Sequence, residues 1–302
     1  QQQQITVSRH LEMTLTATVD DPREGGARPP MTPASLAALR SMKELEPSLA
    51  EKWANGWDEQ NGSVTADENG DVVALDLGGR RLRKLNGSNF EALDKLSTLN
   101  LGGTDLPMEC IKSIISSIPG LEKLYLGGNG IGTAARVADL AEALPAVPGL
   151  MTLDLRYNDM GPDGCAALAE EISRRENIRF LHLEGNEIGD DGAAALGLIL
   201  SSPTCSIKEL YLGGNHINAA GAINLAGAVG ANQSLEKLYL EGNGIGPEGA
   251  DAFSVQLTTL HSKGEAVILT KLYVDNNNIG KNSMKRLARA LNSETVVEEM
   301  VA

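Results

Sequence analysis

Glycine-rich turns are the first feature of this sequence that could carry chemistry, because such turns hold phosphate groups in nucleotide-binding proteins. One of them reads LYLGGNGIGTAA, from Leu124 to Ala135. The turn recurs along the chain, which a single nucleotide site does not explain. The motifs GxxxxGK[ST], HExxH and GxSxG do not occur in the sequence. We therefore expect no catalytic residue, no cofactor and no enzymatic activity.

The spacing of the metal-ligating residue types also predicts no metal site. Residues 58–69 begin like a calcium-binding loop, but Ser63 stands where such a loop needs glycine, and Asn69 where it needs glutamate. The 4 histidines are scattered, and the 3 cysteines lack CxxC spacing. An odd number of widely separated cysteines argues against a disulfide framework and favours a reducing compartment. We accordingly expect a cytoplasmic location.

Tyrosine, in contrast, recurs at one position of a repeated pattern, L-x-x-L-x-L-x-x-N-x-I-G. In a strand of this pattern the leucines point into the core and the intervening residues face outward. The central outward position holds most of the tyrosines, which protein interfaces use as anchors. Strand propensity and shared descent of the repeats are the alternative explanation. We expect a protein or peptide to bind through Tyr125, Arg156, Tyr157, Phe180, His182, Tyr211, Lys237, Tyr239, Lys271 and Tyr273.

The elements that position these tyrosines follow from the repeat. Copies of the pattern start at Leu121, Leu150, Ile178, Ile207, Leu235 and Leu269, and degenerate copies start at Val72 and Leu96. Each unit predicts a short strand, a turn and a segment of helical period. A unit of this size cannot bury its apolar side alone, so the units must stack into a solenoid with one continuous core.

An asparagine follows the strand in each of the six regular copies. We expect these residues to form a buried structural ladder, because a carboxamide both donates and accepts hydrogen bonds and so satisfies the backbone of a buried turn. Arg80 and Thr104 occupy the same position in the two degenerate copies, which puts the ladder in doubt at that end. The predicted ladder residues are Asn129, Asn158, Asn186, Asn215, Asn243 and Asn277.

The segments LYLGGN, LHLEGNEIGDDGAAAL and LYLEGNGIGPEGADAF resemble the leucine-rich repeats of ribonuclease inhibitors, which are also found in NOD-like receptors. Residues 72–120 are similar to the shorter plant-type repeats. The segment before them is similar to a plant-type N-terminal cap, with Trp53 and Trp57 at matching places but without its paired cysteines. The resemblance implies an α/β leucine-rich repeat solenoid, a curved right-handed superhelix with a parallel sheet on the concave face and helices on the convex face.

The boundaries of the predicted units follow from this pattern. We expect a leader without fixed structure over 1–33, a helical N-terminal cap over 34–71 and two short repeats over 72–120. Six longer repeats over 121–291 and a C-terminal end over 292–302 complete the chain. The cap helix is predicted over Ala34 to Lys52 with an interruption near Pro47. An insertion in the last long spacing falls around residues 259–267 and predicts a surface excursion.

The charge balance narrows the class of partner. The chain has 302 residues and a net charge of −14, which opposes binding to nucleic acid or to an anionic membrane. It also lacks an apolar run long enough for membrane insertion. We expect a non-enzymatic module that binds a protein or peptide on its concave face. The resemblance leaves open a GTPase-activating protein of the Ran type, a ribonuclease inhibitor, or a fragment of an immune or regulatory sensor.

Overall fold

The computed structural model describes residues 30–52 and 63–291, and the side chains of residues 50–52 are excluded from that description. Most of the predicted leader, the predicted cap residues Trp53 and Trp57, and the C-terminal end 292–302 lie outside the described residues.

The N-terminal segment forms two helices, α1 (Pro33–Leu45) and α2 (Pro47–Lys52). Helix α1 starts where sequence rules place a start, because the Thr32 side chain accepts a hydrogen bond from the Ser35 amide and proline occupies the first helical position. It ends at Glu46, whose extended backbone is the conformation that a following proline favours. The interruption predicted near Pro47 therefore divides the segment into two helices.

A nine-stranded sheet runs the length of the described repeats in the order of the sequence. Its first strand is antiparallel to the second, and all later neighbours are parallel. The eight parallel strands confirm the eight predicted repeats. The strands are β1 (Val64–Ala66), β2 (Val72–Asp76), β3 (Thr98–Asn100), β4 (Lys123–Tyr125), β5 (Thr152–Asp154), β6 (Phe180–His182), β7 (Glu209–Tyr211), β8 (Lys237–Tyr239) and β9 (Lys271–Tyr273).

Helices form the opposite layer from the second repeat onward. The first short repeat has only a 3₁₀ turn, Gly87–Asn89, whereas the second short repeat, which is one residue longer, already forms a helix. The insertion predicted around residues 259–267 lengthens the helix before β9 and continues into a segment without regular structure, and its residues 261–266 are exposed, as expected of a surface excursion. The helices are α3 (Met108–Ser117), α4 (Ala134–Ala143), α5 (Gly161–Ile172), α6 (Gly189–Leu200), α7 (Ala219–Ala231), α8 (Gly246–Lys263) and α9 (Lys281–Ala290).

Aliphatic side chains from both layers fill the space between sheet and helices. In the third regular repeat, for example, Leu181 and Leu183 are fully buried, and Leu196 of α6 is buried in the same core cluster. Branched aliphatics suit this core because identical layers must stack at the fixed spacing of the strands. Aromatic residues make up only 3% of the chain, and Phe90 and Phe253 are the largest fully buried side chains of the described residues.

The six predicted ladder asparagines are all buried, and five of them are linked in a continuous series from Asn129 to Asn243. In each link, the backbone N–H of one asparagine donates to the Oδ1 of the next, at 2.8 to 3.0 Å. The Nδ2 of Asn186 donates to the carbonyl oxygens of Leu155 and Leu183, both at 2.9 Å. The side chains thus satisfy backbone groups that the turn removes from the sheet.

The ladder changes character in the two short repeats. The Thr104 backbone N–H still donates to Asn129 Oδ1 at 2.9 Å, and its hydroxyl donates to the Leu101 carbonyl at 2.8 Å. Threonine therefore replaces part of the bonding of an asparagine. Arg80 does not, because its guanidinium donates to the Gly78 carbonyl of its own turn at 2.6 Å. The carboxamide ladder ends where the sequence placed it in doubt.

Candidate functional site

The central outward position of each strand forms a continuous column on the concave face. Because the parallel strands pair without a register shift, each residue of this column lies beside its counterpart in the next repeat. A side chain at this position can therefore contact the same position one strand away. The column reads Asp76, Asn100, Tyr125, Asp154, His182, Tyr211, Tyr239 and Tyr273.

Four rings of this column stack face to face, and we call them the ring stack (His182, Tyr211, Tyr239 and Tyr273). The ring centroids are 4.0, 4.1 and 4.3 Å apart along the series, with interplanar angles of 12°, 10° and 4°. Neighbouring strands lie about 4.8 Å apart, so the rings are closer together than the backbones that carry them. This convergence is what the inner side of a curved sheet produces.

The hydroxyl group of Tyr211 is held by an ion pair beside the ring stack. It donates to Glu209 Oε2 at 2.6 Å, while the Lys237 ammonium donates to Glu209 Oε1 at 2.7 Å. Burial and this glutamate raise the pKa of Tyr211, and burial raises the pKa of Tyr239. Both phenols therefore stay protonated at neutral pH, so they serve as hydrogen-bond donors and not as nucleophiles.

Tyr125 is separated from the ring stack by Asp154, although sequence analysis grouped it with the other tyrosines. Asp154 is buried and forms a bidentate ion pair with Arg156, with contacts of 2.6 and 2.9 Å to Oδ2 and a further contact of 3.1 Å to Oδ1. The guanidinium of Arg156 is thus bound within its own repeat. The aspartate interrupts the aromatic column, and the tyrosine face consists of a three-tyrosine part and an isolated Tyr125.

Three carboxylates lie beside the ring stack at the position where the chain leaves the strands. We call Glu184, Glu241 and Asp275 the acidic row; sequence analysis did not include them among the binding residues. Burial, reinforced by Asp275 and Glu184, raises the pKa of Glu241 to about 7. Burial also raises the pKa of Asp275.

The acidic row faces an open space over Gly213. A Cβ atom at Gly213 would lie 3.8 Å from both Glu184 Cγ and Glu241 Oε2, so the two side chains border the same space. The Oε2 atom of Glu184 and the Nδ1 atom of His182 are buried without a hydrogen-bond partner in the described structure. An acidic residue stands two positions after His182, Tyr239 and Tyr273, whereas Gly213 holds that place after Tyr211, and this recurrence was the sequence signal for the row.

The other predicted binding residues lie around the ring stack. Phe180 and Lys271 are partly exposed at the first position of their strands, and Lys271 pairs in register with Lys237. Tyr157 is 64% exposed, and its ring covers Gly185 of the next repeat. The structure therefore brings most of the predicted residues to one face but divides them into two groups.

The described residues contain few features of a catalytic or metal centre. No group of three or more His, Cys, Asp or Glu residues within 30–52 and 63–291 is arranged to hold a metal ion. Across the same ranges, none of the helices is both long and apolar enough to cross a membrane. A cavity of about 240 Å³ lies at the end of the solenoid beside β9, lined by Val274, Ile279 and Met284 among others. The concave face is a broad surface, which suits macromolecular contact better than enclosure of a small ligand.

Comparisons with known proteins agree with this architecture. The family described as "Leucine Rich repeat" matches residues 150–169, 176–197, 205–226 and 231–254. Ribonuclease inhibitor from Sus scrofa is 31% identical over 208 residues, which cover 69% of this chain and 44% of the inhibitor. "NACHT, LRR and PYD domains-containing protein 5" from Homo sapiens is 30% identical over 189 residues, covering 61% of this chain and 13% of that protein. The leucine-rich repeat-containing protein LegL7 from Legionella pneumophila has a TM-score of 0.41 and 17% identity, covering 73% of this chain and 90% of that one.

The chain spans less than half the length of the ribonuclease inhibitor that it matches. The four segments matched by the family coincide with consecutive strand, turn and helix units, from β5 to α8. These units carry the buried leucines and the ladder asparagines on which the solenoid depends. The chain is therefore a leucine-rich repeat protein, and its repeats are similar to those of ribonuclease inhibitors and of NACHT- and LRR-containing proteins.

Proposed function

We propose that this chain is a non-enzymatic interaction module that binds a protein or peptide on its concave face, over the ring stack. The observation that carries the proposal is the stack itself, in which Tyr211, Tyr239 and Tyr273 continue from His182 at 4.0 to 4.3 Å spacing. All four residues are only partly buried, so an aromatic surface faces solvent on the inner side of the solenoid. Aromatic side chains that lose their remaining exposure on binding contribute strongly to interfaces.

Rigidity supports the same proposal. Each ring of the stack is restrained by a neighbour, and Tyr211 is further fixed through Glu209 and Lys237. A partner that binds here freezes few additional rotamers, so less of the contact energy is lost as conformational entropy. The acidic row beside the stack favours a partner that presents basic side chains to Glu184, Glu241 and Asp275.

Reduced cysteines support placing this module in the cytoplasm. Cys110, Cys165 and Cys205 are free thiols, and burial raises the pKa of Cys165 to about 12. A thiol with so high a pKa is inert toward disulfide exchange at neutral pH. Three cysteines without a disulfide are typical of a protein in a reducing compartment.

The test is affinity capture from a lysate of the source cell with three matched baits. These are the wild type, the triple variant Tyr211→Ala, Tyr239→Ala, Tyr273→Ala, and the control Tyr125→Ala, Tyr157→Ala. Circular dichroism first establishes that all three baits are folded. The control removes the same residue type outside the ring stack, so it separates the stack from tyrosine in general.

We expect a protein that the wild type and the control retain and the triple variant loses. Titration of that purified protein should show a dissociation constant raised roughly a hundredfold by the triple variant, since anchor residues dominate interface energies. Equal affinity for the wild type and the folded triple variant would show that the ring stack is not the binding surface.

Ribonuclease inhibition is the second candidate, favoured by the 31% identity to the inhibitor of Sus scrofa. The measurement is cleavage of RNA by a pancreatic-type ribonuclease with the chain present at roughly 1 μM. Suppression that the triple tyrosine variant abolishes would identify the ribonuclease as the concave-face partner. Unchanged cleavage would eliminate ribonuclease inhibition. The proposal of an interaction module would then stand with a partner other than a ribonuclease.

A further inference from the structure

The convex face of the solenoid carries a second surface that the concave binding proposal does not use. Leu198 on α6, Ile223 on α7 and Val255 on α8 are 78%, 50% and 65% exposed. They lie on three consecutive helices, and we call them the convex patch. Single exposed aliphatic residues are common, but a row of them across adjacent helices marks a contact surface.

Helix α7, at the centre of the convex patch, has no charged residue among its 13 positions, AAGAINLAGAVGA. A helix that faces water normally carries a polar stripe on its outer side. Here the exposed positions are Ala220, Ile223, Asn224, Gly227 and Ala231. The charges of α6 are confined to Asp190 and Asp191 in its first turn, far from Leu198 near its end. The outer sides of α7 and of the second half of α6 are therefore neutral in a chain of net charge −14, and the acids of α8, Glu248 and Asp251, lie before Val255 in its first two turns.

The repeat places the convex patch symmetrically about α7. Leu198 lies twelve positions after Asn186, and Val255 lies twelve positions after Asn243, so they occupy equivalent places on either side. The equivalent residue of α7 is Gly227, and a Cβ built there would meet nothing within 4 Å. The side chains of Leu198 and Val255 thus protrude on either side of Gly227, where α7 has no side chain.

We propose that the convex patch is the contact between two copies of this chain, related by a two-fold axis that passes near Gly227. An axis parallel to α7 keeps the two α7 helices in the same direction and brings Leu198 of each copy against Val255 of the second copy. The two glycines let the α7 helices approach closely, and the Ile223 side chains of the two copies face each other. A two-fold contact requires a surface that complements itself, which this arrangement of knobs and a glycine provides.

Charge favours a second copy as the occupant. Two copies that each carry a net charge of −14 repel one another. This repulsion is smallest when the surfaces that meet carry no charge. The two-fold axis also places residues 161–176 of one copy on the side of α9 of the other. Four acids and two bases give residues 161–176 a net charge of −2, whereas α9 has four bases and no acid. The attraction between these flanking regions favours this arrangement of the two copies.

The test is sedimentation velocity of the full chain from about 1 to about 100 μM, with folding checked by circular dichroism. We expect a concentration-dependent dimer for the wild type. Ile223→Arg should raise the dissociation constant about tenfold or more, because it places a charge in the neutral contact. The matched control is Ala135→Arg, at an exposed alanine of α4 outside the convex patch and the flanking regions, which should leave the dimer unchanged.

A pair of complementary variants tests the geometry of the contact. Leu198→Lys and Val255→Glu should each weaken self-association alone, whereas their mixture should form a heterodimer in which the new lysine meets the new glutamate. Recovery of the dimer in the mixture establishes the proposed pairing. A wild type that remains monomeric at about 100 μM, or patch variants that dimerise like the wild type, would overturn the proposal.

Discussion

The asparagine ladder and the ring stack are two columns built in the same way, with one residue per repeat in successive turns of the solenoid. The ladder residues are at most 9% exposed, and their carboxamides bond to backbone groups inside the protein. The stack residues are partly exposed and contact mainly one another. Repetition by itself therefore does not reveal what a column does.

The difference between the two columns lies in where their polar atoms find partners. Asn186 has both its Oδ1 and its Nδ2 satisfied by neighbouring repeats. In the ring stack, Glu209 takes part in holding the rings, whereas the nearby Glu184 Oε2 has no partner in the described structure. A column whose polar groups are satisfied internally contributes to stability, whereas a column whose rings stay partly exposed leaves a surface that a partner can cover.

The largest expected effect is the loss of a ladder residue. Asn186→Ala removes five side-chain hydrogen bonds of 3.4 Å or less, to Asn158, Met160, Leu155, Leu183 and Glu184. Since buried backbone groups lose their partners, the free energy of unfolding should fall by about 3 to 5 kcal/mol. Chemical denaturation monitored by circular dichroism measures this. The control Asn224→Ala, on the exposed side of α7, should change stability by less than about 0.5 kcal/mol. Equal effects of the two substitutions would contradict the structural role of the ladder.

The acidic row should respond to pH, which the neutral ladder cannot do. Burial raises the pKa of Glu241 to about 7 in the folded protein, above the value of a glutamate in an unfolded chain. The folded state therefore loses stability as pH rises from about 4.5 to above 7. Glu241→Gln removes this loss, so it should stabilise the fold by about 1 to 2 kcal/mol at pH 8 after allowance for solvent screening. Near pH 4.5 the gain should almost vanish.

Glu236→Gln is the control for this pH dependence. Glu236 is exposed and pairs with Lys208 at 2.7 Å, so its substitution removes the same charge from a solvated site. Denaturation curves recorded at several pH values should show a gain for the Glu241 variant alone at high pH. A gain that stays constant between pH 4.5 and pH 8 would show that Glu241 titrates normally.

A smaller change separates the contribution of the Tyr211 hydroxyl group to stability from that of its ring. Tyr211→Phe keeps the ring contacts with His182 and Tyr239 but removes the 2.6 Å hydrogen bond to Glu209. The free energy of unfolding should fall by about 1 kcal/mol, the usual contribution of such a bond. Tyr157→Phe, at a 64% exposed ring, should have no measurable effect on thermal stability. If the two variants melted alike, the Glu209 contact would have no energetic role.

The sequence predicted the fold because one period governs both layers. A leucine template repeated eight times specifies where each strand lies, and in-register stacking follows when identical units pack together. The same logic identified every asparagine of the ladder. Local chemistry was also readable at the cap, where the residue before Pro47 ends the first helix.

The candidate site was predicted less completely, since contacts within a column depend on each neighbour. Asp154 occupies the position of a tyrosine and binds Arg156, which isolates Tyr125 from the ring stack. Only the structure shows this, because the pattern treats every member of the column alike. The insertion near residue 259 is exposed over residues 261–266, as predicted, but the sequence did not predict that part of it would extend α8 to Lys263.

The smallest expected effect concerns the end of the ladder. Thr104 already makes part of the hydrogen bonds of a ladder asparagine, since its amide donates to Asn129 Oδ1 and its hydroxyl to the Leu101 carbonyl. Thr104→Asn would add a second donor directed at the preceding repeat, as Asn186 Nδ2 does toward Leu155. Stability should rise by about 0.5 kcal/mol, which a shift of the denaturation midpoint would reveal. Thr104→Val should instead destabilise the fold, because it removes the hydroxyl donor without supplying another. A loss of stability in both variants would show that the short repeats hold their turns by a geometry that a carboxamide does not fit, and that the ladder belongs to the longer repeats alone.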